Sequence, residues 1–130
     1  MTHLPALVTL LTMFLLAGTM YAAGHARGRH GIKAPAVTGH PEFERAYRVQ
    51  MNTLENTVMF LPTLWLAANY GFSGWAGIAG LVWLFGRVWY AVAYLKDETK
   101  RGPGFTVSAI AWVALLVMAC IAVCRLMLLG

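Results

Sequence analysis

The chain has 130 residues, a formal net charge of +5 at pH 7, 59% hydrophobic residues and only 12% charged ones. Soluble domains carry about 25% charged residues, so half the usual solubilising charge is missing, and the apolar content excludes a disordered chain. Two cysteines exclude a disulfide-stapled fold, and a largely apolar surface argues against a nucleic-acid binder. The length allows one domain, and the composition is that of an integral membrane protein in contact with the lipid bilayer.

A span needs roughly 20 apolar residues to cross about 30 Å of hydrocarbon. Residues 4–23 meet this without a charge, and no Lys or Arg precedes them as in a signal peptide. The stretch 24–44 is rich in Gly, His and Pro and carries Arg27, Arg29 and Lys33. A second span covers 47–69, interrupted by Arg48, Gln50, Asn52 and Glu55 in its first half. Residues 70–74 form a short uncharged turn, so spans two and three make an antiparallel hairpin. Gly71, Gly74, Gly77 and Gly80 recur every third residue there and predict close helix approach. The third span, 75–94, contains Arg87. Residues 95–104 hold Lys96, Asp97, Glu98, Lys100 and Arg101, then Gly102, Pro103 and Gly104, which read as helix breakers. The fourth span, 105–129, carries Arg125 near its end, and Cys120 and Cys124 read as ordinary core residues.

The expectation is an all-α, integral membrane four-helix bundle, one domain over 1–130 with no soluble part. Lys and Arg concentrate in the first and third loops, which places those loops in the cytoplasm and both termini opposite. The short loops fit a bacterial inner membrane, or an endomembrane in a eukaryote. His3, His25, His30 and His40 all lie outside the spans, so neither haem in the bundle nor a metal site is expected.

Ionisable groups inside a span cost about 2.5–3.5 kcal/mol each near the helix centre and rarely face lipid. Arg48, Asn52 and Glu55 follow i, i+4, i+7 spacing and share one face of the second helix; Arg87, Tyr90 and Tyr94 form a similar stripe on the third. Together the stripes suit a pocket for a polar, charged ligand. The plainer alternative is mutual satisfaction, with Glu55 paired to Arg87 and Asn52 bonding across helices as structural glue.

The run from Pro41 to Glu55, with Glu44-Arg45, Arg48, Gln50, Asn52 and Glu55 in register, resembles the signature of the membrane-associated proteins in eicosanoid and glutathione metabolism. The stretch Leu81 to Tyr90, followed by Tyr94, is similar to that family's third helix. The resemblance implies a homotrimer binding glutathione at subunit interfaces on the cytoplasmic side, with glutathione as co-substrate and no metal or haem. It assigns Arg48, Gln50, Asn52, Glu55, Tyr90 and Tyr94 to glutathione, and Arg27 at the end of the first helix as a further contact. An arginine seven residues after the second tyrosine activates the thiol in the family's leukotriene-forming members, and that position is Arg101; Lys100 is the alternative occupant. Asn56 stands where several relatives have tyrosine, and Gly28 where the leukotriene-forming branch has a second arginine.

The reaction implied is conjugation of glutathione to an apolar electrophile or lipid substrate arriving through the membrane, with lipid-hydroperoxide reduction as a side activity. An arginine beside the thiol favours its thiolate, and a shift of two pKa units corresponds to about 2.7 kcal/mol. The competing readings are a non-catalytic, lipid-presenting member of the same family and a purely structural membrane protein.

Overall fold

Pro5, Pro41 and Pro103 each occupy the first turn of a helix, where a missing N–H costs no intrahelical bond. The computed structural model describes residues 3–130 and folds them into four helices: α1 Leu4–Arg29, α2 Pro41–Asn69, α3 Ser73–Lys96 and α4 Gly102–Leu129. A single 3₁₀ turn, Glu98–Lys100, precedes α4. The helices overrun the expected spans at several ends, because a run of apolar residues measures hydrocarbon thickness while the helix continues into the polar zone. Gly102, Pro103 and Gly104 do not break a helix as expected. They start one.

α2 and α3 each pack against every other helix, and α1 and α4 lie on opposite flanks. The main core gathers Val8, Phe60, Leu64, Trp83 and Leu115, with the Phe60 and Trp83 rings stacked 3.6 Å apart at their centroids. Polar groups in this region bond locally: the hydroxyls of Thr12, Thr57 and Thr63 donate to the carbonyl four residues earlier, and Trp65 Nε1 donates to Thr9 Oγ1 at 3.0 Å. A smaller cluster of Ala23, Ala26, Phe43 and Ala46 closes the loop end.

The tightest helix crossing joins α3 to α4. A Cβ on Gly86 would lie 2.7 Å from the Ser108 backbone nitrogen, and one on Gly104 would collide with the Tyr90 backbone nitrogen. Of the hairpin glycines, Gly77 and Gly80 do face close neighbours, Leu4 and the Val8–Leu64 pair, whereas Gly71 faces open space.

The outer surface is apolar, with Phe14, Trp75, Phe85, Ile110 and Met127 all exposed. Cys120 and Cys124 lie on this outer face and not in the core expected for them. The segments Leu4–Arg29, Ser73–Lys96 and Glu98–Leu129 are long and apolar enough to cross a membrane. α2 is equally long at 29 residues but is diluted by its polar stripe. The protein is an integral membrane protein.

Candidate functional site

The Gly86–Gly104 crossing brings the first turn of α4 against α3 at Tyr90, and with it Arg101. The turn before it is fixed by Asp97, whose Oδ1 accepts the Thr99 backbone N–H at 3.0 Å and its hydroxyl at 2.8 Å. Those two bonds hold the Asp97 carboxyl below its ordinary range. Arg101 Nη1 donates to the Glu98 carbonyl at 3.2 Å, and its guanidinium carbon lies 5.6 Å from the centroid of the Tyr94 ring.

Two cavities flank this junction. The smaller, about 170 Å³, is lined by Asn52, Tyr90, Arg101, Gly102 and Phe105. The larger, about 400 Å³, is lined by Pro41, Glu44, Arg45, Arg48, Tyr94 and Glu98. Tyr90 lines the smaller and Tyr94 the larger, and the two rings pack edge to face, 5.5 Å between centroids. The larger alone falls within the roughly 300–1,000 Å³ of small-molecule sites.

The second-helix stripe is held from behind by Arg87, which is fully buried. Its Nη2 donates to Asn52 Oδ1 at 2.8 Å and to Thr53 Oγ1 at 3.1 Å, and the guanidinium lies 4.2 Å over the Tyr90 ring. Asn52 also accepts from Asn56 Nδ2, on its backbone oxygen at 2.8 Å and on Oδ1 at 3.3 Å. The alternative pairing of Arg87 with Glu55 does not form: Glu55 is exposed on the outer side of α2 and makes no ion pair among the described residues.

Of the residues singled out from the sequence, Arg48, Asn52, Tyr90, Tyr94 and Arg101 line the paired cavities. Lys100 lines neither. Gln50 also lines neither, and Arg27 lies apart, its Nη1 donating to the Ala36 carbonyl at 2.8 Å and its guanidinium covering the Phe43 ring at 4.6 Å. Arg45 and Phe105 join the lining unforeseen; Arg45 stands in the same motif as Arg48 and was legible there. Arg45, Arg48 and Arg101 make no ion pair among the described residues, and the larger cavity that Arg45 and Arg48 line also carries the carboxylates of Glu44 and Glu98, so the lining offers groups of both signs with cations in excess. No group of three His, Cys, Asp or Glu side chains suited to a metal ion occurs among the described residues.

A family model, that of the MAPEG family, matches residues 4–121. The chain belongs to the MAPEG family. This MAPEG chain is 42% identical to an uncharacterized protein of Synechocystis sp. over 119 residues, 92% of this chain and 87% of the relative. It is 41% identical to leukotriene C4 synthase of Cavia porcellus over 114 residues, covering 88% of this chain and 76% of the relative. It is 42% identical to microsomal glutathione S-transferase 2 of Homo sapiens over 85 residues, 65% of this chain and 58% of the relative.

Proposed function

We propose that the protein is a membrane-bound glutathione transferase that joins glutathione to apolar electrophiles, with reduction of lipid hydroperoxides as a side activity. The observation that carries this reading is the convergence of Asn52, Tyr90 and the unpaired Arg101 on one cavity beside Arg48 and Tyr94. Glutathione is anionic and rich in amide groups. Arg48 suits one of its carboxylates through a planar two-pronged contact and Asn52 a peptide group.

The thiol is the reacting group. A free thiol with a pKa of about 8.5 is only a few per cent ionised at neutral pH. Arg101 beside it favours the thiolate, and the proton leaves to solvent at the loop end of the bundle. With an aryl halide, the sulfur forms a bond to the ring carbon and halide departs with the electrons of the carbon–halogen bond. Phe105 offers an apolar wall for such a ring, and the exposed apolar flanks give it a route from lipid.

The same reading includes a homotrimer that crosses the membrane four times, α2 included. Arg48 and Glu55 are exposed on α2 among Leu54, Val58 and Met59, a flank that cannot face hydrocarbon at a cost of about 2.5–3.5 kcal/mol per buried charge. A neighbouring copy against this flank removes the conflict. Gln50, Glu55 and Arg27 line neither cavity of their own chain, so a contact from them to glutathione, Glu55 with its ammonium among them, comes across that interface. The basic loops lie in the cytoplasm by their Lys and Arg content.

The test is calorimetric titration of glutathione into the detergent-purified protein, followed by turnover with an aryl halide. Binding with conjugation is expected. Absence of binding overturns the reading, and binding without turnover of halide or hydroperoxide leaves a non-catalytic glutathione-binding protein.

A further inference from the structure

On the flank between α1 and α3 an apolar groove of about 250 Å³ runs from Phe14 past Gly18 to Ala22, walled on the other side by Val88, Val92 and Leu95. At its loop end it shares the lining residues Ala22 and Leu95 with a second cavity of about 360 Å³ whose polar lining is Tyr21, His25, Glu42 and Arg45. Gly18 makes the groove: a Cβ there would meet nothing within 4 Å.

The dimensions are those of an acyl chain. From Phe14 to Ala22 the helix rises roughly 12 Å at 1.5 Å per residue, close to the half-thickness, about 15 Å, of the hydrocarbon core. The polar end lies at the helix ends bearing the basic loops, where head groups sit. The charges there are of both signs. Arg45 makes no ion pair among the described residues, and its Nε donates only a long bond, 3.4 Å, to the Leu95 carbonyl. Glu42 accepts a hydrogen bond from Arg29 on Oε1 and faces His30 at Oε2, each at 3.4 Å, and the second lone pair of each carboxylate oxygen can take another donor. An anion over Arg45 beside a hydrogen-bonding cation at Glu42 is the pattern of a zwitterionic head carrying a primary ammonium.

We propose that this groove is a specific site for one phosphatidylethanolamine of the surrounding bilayer, with an acyl chain beside Gly18, its phosphate on Arg45 and its ammonium on Glu42. Choline heads lack the N–H donors for Glu42, and phosphatidylglycerol lacks the cation. The site lies on the flank away from the Asn52–Tyr90–Arg101 cavity and stands whether or not the chain is a transferase. Arg45 alone lines both regions.

Native mass spectrometry of the purified full-length protein, equilibrated in mixed micelles with each of the three dioleoyl phospholipids, tests the site. Phosphatidylethanolamine should be retained about fivefold more tightly than the other two, the scale of one partly exposed charge contact. Gly18→Leu adds an apolar side chain from a position where a Cβ meets nothing within 4 Å and should weaken that retention about tenfold; Val92→Trp narrows the groove independently and should act likewise. Arg45→Gln should erase the preference among head groups. Equal retention of all three lipids by the wild type, a preference for phosphatidylglycerol, or undiminished retention in both groove-filling variants each overturns the proposal.

Discussion

Arg101 and Arg87 are both arginines of the third-helix region, and their surroundings give them opposite work. Arg101 is exposed, anchored by one backbone bond and facing a cavity, so its charge is available to a ligand. If it supports the thiolate, Arg101→Ala should return a bound glutathione thiol from mostly ionised to a few per cent ionised at pH 7, a shift of up to about two units. A titration of thiolate absorbance reads this directly, with Lys100→Ala expected to be silent because Lys100 does not line the cavity. Arg87 is sealed inside and spends its Nη2 on Asn52 and Thr53, while Nε and Nη1 have no partner among the described residues. Arg87→Lys keeps the charge but loses the fork that orients the Asn52 amide. Glutathione affinity should fall about tenfold, the scale of one hydrogen bond to a charged group, with the bound thiol's pKa unchanged. Asn52→Ala should match that loss in calorimetry; an affinity left intact by both substitutions would detach the stripe from the ligand.

The first turn of α4 is the element on which the site depends. Gly104 has no room for a methyl group against the Tyr90 backbone, whereas a Cβ on Gly102, two residues earlier, meets nothing within 4 Å. Gly104→Ala should therefore cost about 1–3 kcal/mol through overpacking and lower turnover as Arg101 moves, while Gly102→Ala leaves the melting temperature unchanged. The 3₁₀ turn ahead of it has its own pH dependence. The Asp97 carboxyl is held low by its two bonds from Thr99, so its stabilisation is complete above the ordinary carboxylate range and is lost as pH falls through the depressed value. Hydrogen exchange at the Thr99 amide should quicken in that acid window, and Asp97→Asn should flatten the response.

Element existence was legible because four apolar runs separated by Gly, Pro and charge admit few other foldings. Two features were not. Gly102-Pro103-Gly104 carries the same residues a loop would, and only the position of α3 decides that they open a helix. The Gly86–Gly104 crossing joins glycines eighteen positions apart, a pairing that no local period contains. Within the site, i, i+4, i+7 spacing put Tyr90 and Tyr94 on one face, where their rings pack, and Arg48 and Asn52 on another, each lining a different one of the two cavities. It could not tell that Arg87 turns inward onto Asn52 while Glu55 turns outward, because helical spacing gives a face and not what lies opposite it.

At the scale of the whole molecule, the exposed charges on α2 and the apolar flanks elsewhere define where another copy belongs and where lipid belongs. In mild detergent the protein should run as a trimer by native mass spectrometry. Glu55→Leu, which makes the α2 flank compatible with hydrocarbon, should raise the monomer fraction. Cysteine introduced at Lys33 should be labelled only from the cytoplasmic side in spheroplasts or sealed vesicles. A monomer throughout, or labelling from the opposite side, would reverse the assembly or the orientation respectively.

The glycine contact between α3 and α4 has one more consequence. Because backbone meets backbone there, the separation of the Arg101 and Tyr90 main chains is set by that contact and not by side-chain packing. The walls on the lipid side, Phe105 and the exposed residues beyond it, are free to change size without disturbing that separation. Under the proposed function, a lineage built on this contact can exchange one hydrophobic substrate for another by single substitutions while its reactive end is inherited intact.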